Sequence, residues 1–276
     1  MSEIKTVGFI GLGSQGAPMA QRIIEAGIPT TLWARRPETL EPFAGTGATT
    51  AASPAELGAA VDLACVCVLD DAGVEEIVSG ENGLLKGMRP GGVIAVHSTV
   101  HPETCARLAE RAAEHGVGFV DAPVSGGGPA AQQGSLLVMA AGDAETVERC
   151  RPVFATYGDP IVHLGPVGAG QRAKLINNLL LAANLGVAES AFALARDLGV
   201  DPAQLAVVLA RGSGSSFATG MLPRTGFVLA PMGDKAGPLL QKDARIVADL
   251  AAASGVKGGP VFDAADAALA SMGCAR

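Results

Sequence analysis

Aromatic side chains are scarce in this 276-residue chain: one Trp, one Tyr and eight Phe make 4% of it. With 49% hydrophobic residues, the interior must therefore be built chiefly from Ala, Val and Leu. Charge is sparse as well, at 17%, and leans acidic with a formal net charge of −7. That argues against a general nucleic-acid binder, which needs a basic face for phosphates, but leaves room for a small anionic ligand. The five cysteines include no CxxC pair. Cys65 and Cys67 fall on one face of an apparent strand, yet no second pair or nearby His completes a zinc set. They read as free thiols in a reducing compartment, and no metal is expected. The absence of GxxxxGK[ST] removes the usual signature of a nucleoside-triphosphate enzyme. The opening MSEIKTVGFIGLG lacks the basic head and cleavage pattern of a signal peptide, so a cytoplasmic location is the expectation.

Mean hydropathy is positive, +0.34, which raises the question of a membrane. The longest apolar helix-like stretch, 175–188, is interrupted by Asn177, Asn178 and Asn184 and followed by Glu189. A span wants about 20 mostly apolar residues, so this stretch reads as a buried helix, with no membrane partner. The 37 glycines and 17 prolines are spread along the chain, as in turns rather than a low-complexity region. No solenoid-type repeat is visible.

Strand patterns fall at 4–10, 29–34, 63–69, 93–96, 117–120, 136–140 and 161–164, with helical segments at 17–26, 54–60, 73–78, 102–115 and 144–154 between them. Alternation of this kind implies a largely parallel sheet with helices on both faces. After Gly165 the pattern changes. Residues 169–198 are almost continuously helix-forming, a rod of roughly 45 Å. Asp201-Pro202 marks another helix start, 211–235 reads as loops, and helices near 239–254 and 260–272 close the chain. The expected division is 1–166 and 167–276.

GLGSQG at 11–16 fits GxGxxG directly after the first strand and opens a helix. Glycines there permit a tight turn, close backbone approach to a pyrophosphate, and helix–strand packing. The helix N-terminus then faces the anion. Gly11, Leu12, Gly13, Ser14, Gln15 and Gly16 are thus cofactor-binding candidates; a purely structural turn is the bland alternative. The second strand ends Trp33-Ala34-Arg35-Arg36, without the carboxylate that would hold the NAD ribose. Arg35 and Arg36 suit a 2′-phosphate, unless they are a solvated surface pair. NADP(H) is the preferred cofactor on this reading and NAD(H) the alternative.

Four blocks together resemble the β-hydroxyacid dehydrogenases, the family of 3-hydroxyisobutyrate dehydrogenase, tartronate semialdehyde reductase and the glyoxylate/succinic semialdehyde reductases. They are GFIGLGSQGAPMA (8–20), DAPVSGGGPAAQQGSL (121–136), GPVGAGQRAKLINN (165–178) and LLQKD (239–243). The resemblance implies an N-terminal Rossmann doubly wound sheet, then an all-α C-terminal domain, joined by a long interdomain helix. Amides of Ser125, Gly126 and Gly127 can converge on an anion, and the matching family residues bind the substrate carboxylate. A flexible connector is the other reading. Lys174 and Asn178, four apart on one helix, share a face and match the family's catalytic lysine and its asparagine. Lys174 is flanked by Ala173, Leu175 and Ile176, where burial would lower its pKa into general acid/base range; a snorkelling lysine is the alternative. By the same resemblance Lys242 and Thr99 lie by the cofactor, Leu69 lines it, and Asp243 is on the substrate side, although Lys242-Asp243 also reads as a solvated face. None of the four histidines is assigned a catalytic role.

The sequence departs from the family pattern at Gln15, Ala34, Gln132 and Gln133, which puts the substrate in doubt. The implied reaction interconverts a small β-hydroxy acid and its semialdehyde or keto acid, with the nicotinamide reaching a cleft between domains and Lys174 as general acid/base. An NADPH-dependent imine reductase and a non-catalytic NADP-binding sensor are the competing readings. The apolar helical half, like the family, suggests a homodimer or homotetramer. A small carboxylated substrate is the only other partner expected.

Overall fold

The computed structural model describes residues 3–276 and divides into two units, one ending at Lys174 and the other spanning Leu175–Arg276. The first begins with β1 (Val7–Ile10), α1 (Gly16–Glu25), β2 (Thr30–Trp33), β3 (Thr49–Thr50), α2 (Pro54–Ala60) and β4 (Leu63–Val66). It continues through α3 (Asp71–Ser79), β5 (Val93–Val96), α4 (Pro102–Glu114) and β6 (Gly118–Asp121). These six strands are all parallel, in the order β3-β2-β1-β4-β5-β6.

Period-two alternation sends successive side chains to opposite faces. Phe9, Leu63, Cys65, Val93 and Ala95 enter one core with Met19, Ile23 and Phe154. Ile10, Ala64, Val66, Ile94 and Val96 enter the other with Leu57, Val74 and Leu108. A sheet covered on both faces needs such continuous apolar strands, and burying each large aliphatic side chain contributes about 1.5–3 kcal/mol. Short helices between the strands start on polar caps: Ser53 accepts from the Glu56 amide at 3.1 Å and Asp70 from the Gly73 amide at 2.9 Å.

A second, smaller sheet follows. It is made of β7 (Val124–Ser125), β8 (Leu136–Ala140) and β9 (Gly158–His163), with α5 (Gly127–Gln133) and α6 (Ala144–Phe154) between them. Strand β7 is antiparallel to β8, and β9 is parallel to it. The strands expected at 136–140 and 161–164 therefore sit in this sheet and not in the main one. Periodicity shows that a segment is a strand but not which partner it pairs with.

Helix α7 (Ala169–Asp197) is continuous through the division between the units. In the second unit it is joined by α8 (Pro202–Leu209), α9 (Phe217–Met221), α10 (Gly233–Ala253) and α11 (Pro260–Ser271), so this half is all helical. Leu179, Leu185 and Phe192 of α7 pack with Leu240 of α10 and with Phe262 and Leu269 of α11. Gly186 allows α11 to approach closely, since a Cβ there would come 2.6 Å from the Ala264 carbonyl oxygen. Glu189 ties the bundle together, accepting from the Leu229 amide at 2.7 Å and the Ser271 hydroxyl at 2.6 Å. By length and composition alone α7 is apolar enough to cross a membrane. Within that apolar stretch 39% is buried, by the packing of the second unit. The opposite side carries exposed Ile176, Leu180, Val187 and Leu194, which at 3.6 residues per turn fall within an arc of roughly 40°.

Candidate active site

The glycine turn stands between β1 and α1, where the strand order reverses from β1–β2 to β1–β4. In open α/β sheets the crevice at that switch point is the ligand site. Each glycine has a separate reason. Gly11 has φ +99° and a Cβ there would run into the Cys67 carbonyl; a Cβ on Gly16 would run into the Gly11 carbonyl; Gly13 has nothing within 4 Å of where its Cβ would be. The first and third thus close the turn and seat the helix, while the second leaves an open approach. Gln15 at the N-cap makes no side-chain cap, and the first turn of α1 holds no acid. Amides there are presented to an anion unopposed, so the turn fits a pyrophosphate. Ser14 is exposed and Gln15 half-buried, whereas the side chain of Leu12 points into the core, leaving its backbone for any ligand.

Arg35 and Arg36 are exposed just beyond β2. Arg36 makes only a loose pair with Glu38, Nε to Oε1 at 3.9 Å, which a phosphate dianion can displace. Leu69 lies three residues past the end of β4, since that strand stops at Val66 rather than running to 69. It is 78% exposed, an apolar side chain standing in the open at the C-terminal edge of the sheet. Thr99, half-buried, follows β5. Ser125, Gly126 and Gly127 join β7 to α5, with Gly126 at φ +131° and Gly127 at φ +70°. Gly128 closes on the phosphate turn, because a Cβ there would come 2.6 Å from the Ser14 carbonyl oxygen. The first unit thereby brings the two glycine-rich stretches side by side.

Lys174 is in the second turn of α7, and Asn178 lies one turn further on. The expectation that Lys174 is embedded among apolar neighbours needs correction: it is half-buried, and Ile176 points to solvent. Chain neighbours on a helix are about 100° apart, so adjacency in sequence is not adjacency in space. In the second unit Asn178 Nδ2 donates to Asp243 Oδ2 at 2.6 Å, and Asn178 Oδ1 accepts from Asn177 at 3.1 Å. Asp243 is almost wholly buried, so the solvated-face reading of Lys242-Asp243 fails for the aspartate. Its other oxygen, Oδ1, lies 3.4 Å from Lys242 Nζ but lacks a partner of hydrogen-bonding geometry. A buried carboxylate of this kind depends on its amide donor and neighbouring cation.

Four buried polar residues were not singled out from the sequence as a working set. Asp121, at the end of β6, accepts from the Gly168 amide at 2.7 Å and the Gln171 amide at 2.8 Å. Burial pushes its carboxyl up to about 6 against the opposing pull of those amides. Gln171 in turn donates from Nε2 to the Ser98 carbonyl at 2.9 Å and accepts at Oε1 from the Val100 amide at 3.0 Å. Ser98 Oγ accepts from the Val68 amide at 2.8 Å. The only signal for Asp121 and Gln171 was their place inside two of the recognised blocks.

His97, the fourth, is a core group. Burial lowers it to about 4 and keeps it neutral. Its Nδ1 contacts the Ala122 carbonyl at 2.7 Å, an acceptor, so Nδ1 carries the proton and Nε2 accepts from the Tyr157 hydroxyl at 3.2 Å. Cys65, Cys105 and Cys150 are buried with their thiols pushed up by that burial, which leaves them unreactive.

Comparison with known proteins matches the arrangement in both halves. Residues 6–165 fit the family model for the NAD-binding domain of 6-phosphogluconate dehydrogenase, and 168–274 fit that for the NAD-binding domain of NADP-dependent 3-hydroxyisobutyrate dehydrogenase. An uncharacterized oxidoreductase of Mycobacterium tuberculosis is 39% identical over 207 residues, 75% of this chain and 70% of that protein. The L-threonate dehydrogenase of Cupriavidus necator is 36% identical over 214 residues, 77% of this chain and 72% of that one. Among solved structures, Mycobacterium tuberculosis 3-hydroxyisobutyrate dehydrogenase with L-serine superposes with a TM-score of 0.82 at 29% identity, covering 95% of this chain and 92% of that chain.

Proposed function

The chain belongs to the 3-hydroxyisobutyrate dehydrogenase-like family of NAD(P)-dependent hydroxyacid dehydrogenases, and on that premise we infer that it is an NADP-preferring reductase of small carboxylated aldehydes or keto acids, running in reverse as a β-hydroxy acid dehydrogenase. The observation that carries this reading is the coexistence, in the unit ending at Lys174, of the open glycine turn, the adjoining Ser125–Gly127 stretch and the lysine itself. When bound, the nicotinamide supplies or takes the hydride.

The remaining work falls to this chain. Backbone amides of Ser125, Gly126 and Gly127 hold the substrate carboxylate. The Lys174 ammonium gives its proton to the carbonyl oxygen as the carbon is reduced, leaving an alcohol and a neutral amine that regains a proton from solvent. In the oxidative direction the neutral amine takes the hydroxyl proton. Asn178, with one amide hydrogen committed to Asp243, holds a fixed rotamer one turn from the lysine. Arg35 and Arg36 would hold the 2′-phosphate, and Leu69 and Thr99 would line the nicotinamide.

The test is a comparison of NADPH and NADH oxidation rates across short aldehyde- and keto-acids, with cyclic imines included. NADPH preference with a carboxylated carbonyl substrate supports the reading, and activity on imines alone removes it. Lys174→Ala should lower kcat by about 10²–10⁴-fold while NADPH still binds; unchanged turnover rules out the lysine's role. The apolar stripe of α7 supports self-association through the second unit, as a dimer or higher oligomer, because a soluble monomer rarely leaves such a row uncovered.

A further inference from the structure

The residues flanking the proposed chemistry sit on three separate segments of the first unit: Leu69 beyond β4, Thr99 beyond β5, and Lys174 in α7. These segments lie beyond the ends of the parallel ladder, and one hydrogen-bond chain runs from α7 to both loops. Asp121 takes the amides of Gly168 and Gln171, at the very start of α7. Those are among the orphan donors that a helix start leaves unsatisfied; here a carboxylate from a distant strand caps them. The side chain of Gln171 then grasps the Ser98 carbonyl and the Val100 amide, the two backbone groups on either side of Thr99. Ser98 Oγ takes the Val68 amide, next to Leu69. Gln171 and Asp121 are fully buried and Ser98 nearly so.

We propose that Gln171 is a positioning residue for the hydride-transfer step, holding the Thr99 loop in register with the helical turn that carries Lys174. The inference rests on Lys174 acting as the proton donor. Gln171 is three residues before Lys174, about one turn away on the same side of α7. Both ends of that amide are specified. Its NH2 must donate and its C=O must accept, a pattern that neither a hydrocarbon nor an ionised carboxylate can reproduce. Space around the anchor is equally constrained: a Cβ on Gly170 would come 2.8 Å from Asp121 Oδ2, so only glycine lets the helix start lie this close to β6. Asp121 serves the same end at one remove, since it fixes the turn on which Gln171 stands.

A misplacement of about 1 Å in a reacting assembly can cost on the order of 100-fold in rate. Gln171→Met, close in volume but without either hydrogen bond, should therefore lower kcat by about 30–100-fold. The dissociation constant for NADPH, read by its fluorescence, should stay within about threefold, because the phosphate turn is untouched. The primary isotope effect with 4-deuterated NADPH should rise, since hydride transfer becomes the slow step. Gln171→Glu supplies the second test. Ionised, the new side chain cannot donate to the Ser98 carbonyl; protonated, it restores one donor and one acceptor. Its kcat relative to wild type should climb back as pH falls, while the Gln171→Met ratio stays flat.

If both variants bind NADPH and keep wild-type kcat and isotope effect, the positioning role is wrong although Lys174 stands. If Lys174→Ala itself retains turnover, the parent reading fails instead. If Gln171→Met does not fold, the pH ratio of Gln171→Glu decides. If neither variant folds, Gln171 is a requirement of the fold and the positioning role is overturned.

Discussion

The two units solve the burial problem in opposite ways. Among the described residues the buried polar side chains are Thr30, His97, Ser98, Thr104, Asp121, Thr146, Gln171 and Asp243, and only the last belongs to the second unit. That unit instead leaves large hydrophobic side chains uncovered along α7 and α8, including Val187, Leu194, Val207 and Val208. The first unit hides polarity inside, satisfied by hydrogen bonds that fix unique positions. Buried polar networks of this kind specify geometry, as the proposed placing of cofactor and proton donor requires. The second shows apolar surface outside, which the proposed self-association would cover.

Core truncations should separate the units most strongly. Phe154→Ala in the first and Phe192→Ala in the second each remove a fully buried ring, at about 3–5 kcal/mol. If the second unit is stabilised by association, the Tm of Phe192→Ala will rise with protein concentration, and that of Phe154→Ala much less. Equal concentration dependence would erase the contrast.

Titration offers the next test. Folded His97 is held at about 4 against 6.5, so it resists a proton that the unfolded chain accepts, and its contribution to stability is lost as pH falls through that window. Asp121 is raised from 3.8 to about 6, so the folded state keeps a proton the unfolded chain has released, and stability falls as pH rises across that range. Each shift is worth about 3 kcal/mol, and the two largely cancel between them. Asp121→Asn removes one arm: urea unfolding should then show stability rising with pH from the acid side toward neutrality. A variant with the wild-type pH profile would contradict the assignment.

Smaller effects follow. Leu194→Ala takes about 1.5–3 kcal/mol of apolar burial from each copy only if the stripe is covered, which sedimentation will read as weaker assembly; a chain monomeric before and after refutes the association. Last come matched helix caps. Ser53→Ala on α2 should cost about 1 kcal/mol by chemical denaturation. Ser216→Ala, which caps the short α9 whose Phe217 is exposed, should cost less.

Much of this was legible in the chain. The central strands and α1, α4, α6, α7 and α11 follow hydrophobic period and end on readable Gly, Pro and Asp signals. What escaped depends on contacts between distant segments. Helix α5 begins with Gly127-Gly128-Pro129, poor helix formers held by packing against the phosphate turn rather than by propensity. Helix α10 starts at Gly233 and carries Pro238 inside it, where a Gly-Pro step reads as a loop. Gln171 and Asp121 were invisible as a pair because polar residues look like surface until their partners, 50 residues apart, are seen together. The glycine turn, the Ser-Gly-Gly stretch and Lys174 stood out because each is a local pattern.

The capping of α7 by Asp121 has a consequence for motion. A helix normally frays from its ends, and its first amides are the earliest to trade hydrogen for deuterium. Here the amides of Gly168 and Gln171 are bonded to a buried carboxylate from β6, so they can exchange only when the strand itself comes away. The opening turn of α7 should therefore exchange on the slow clock of the sheet and not on the fast one of a fraying helix end.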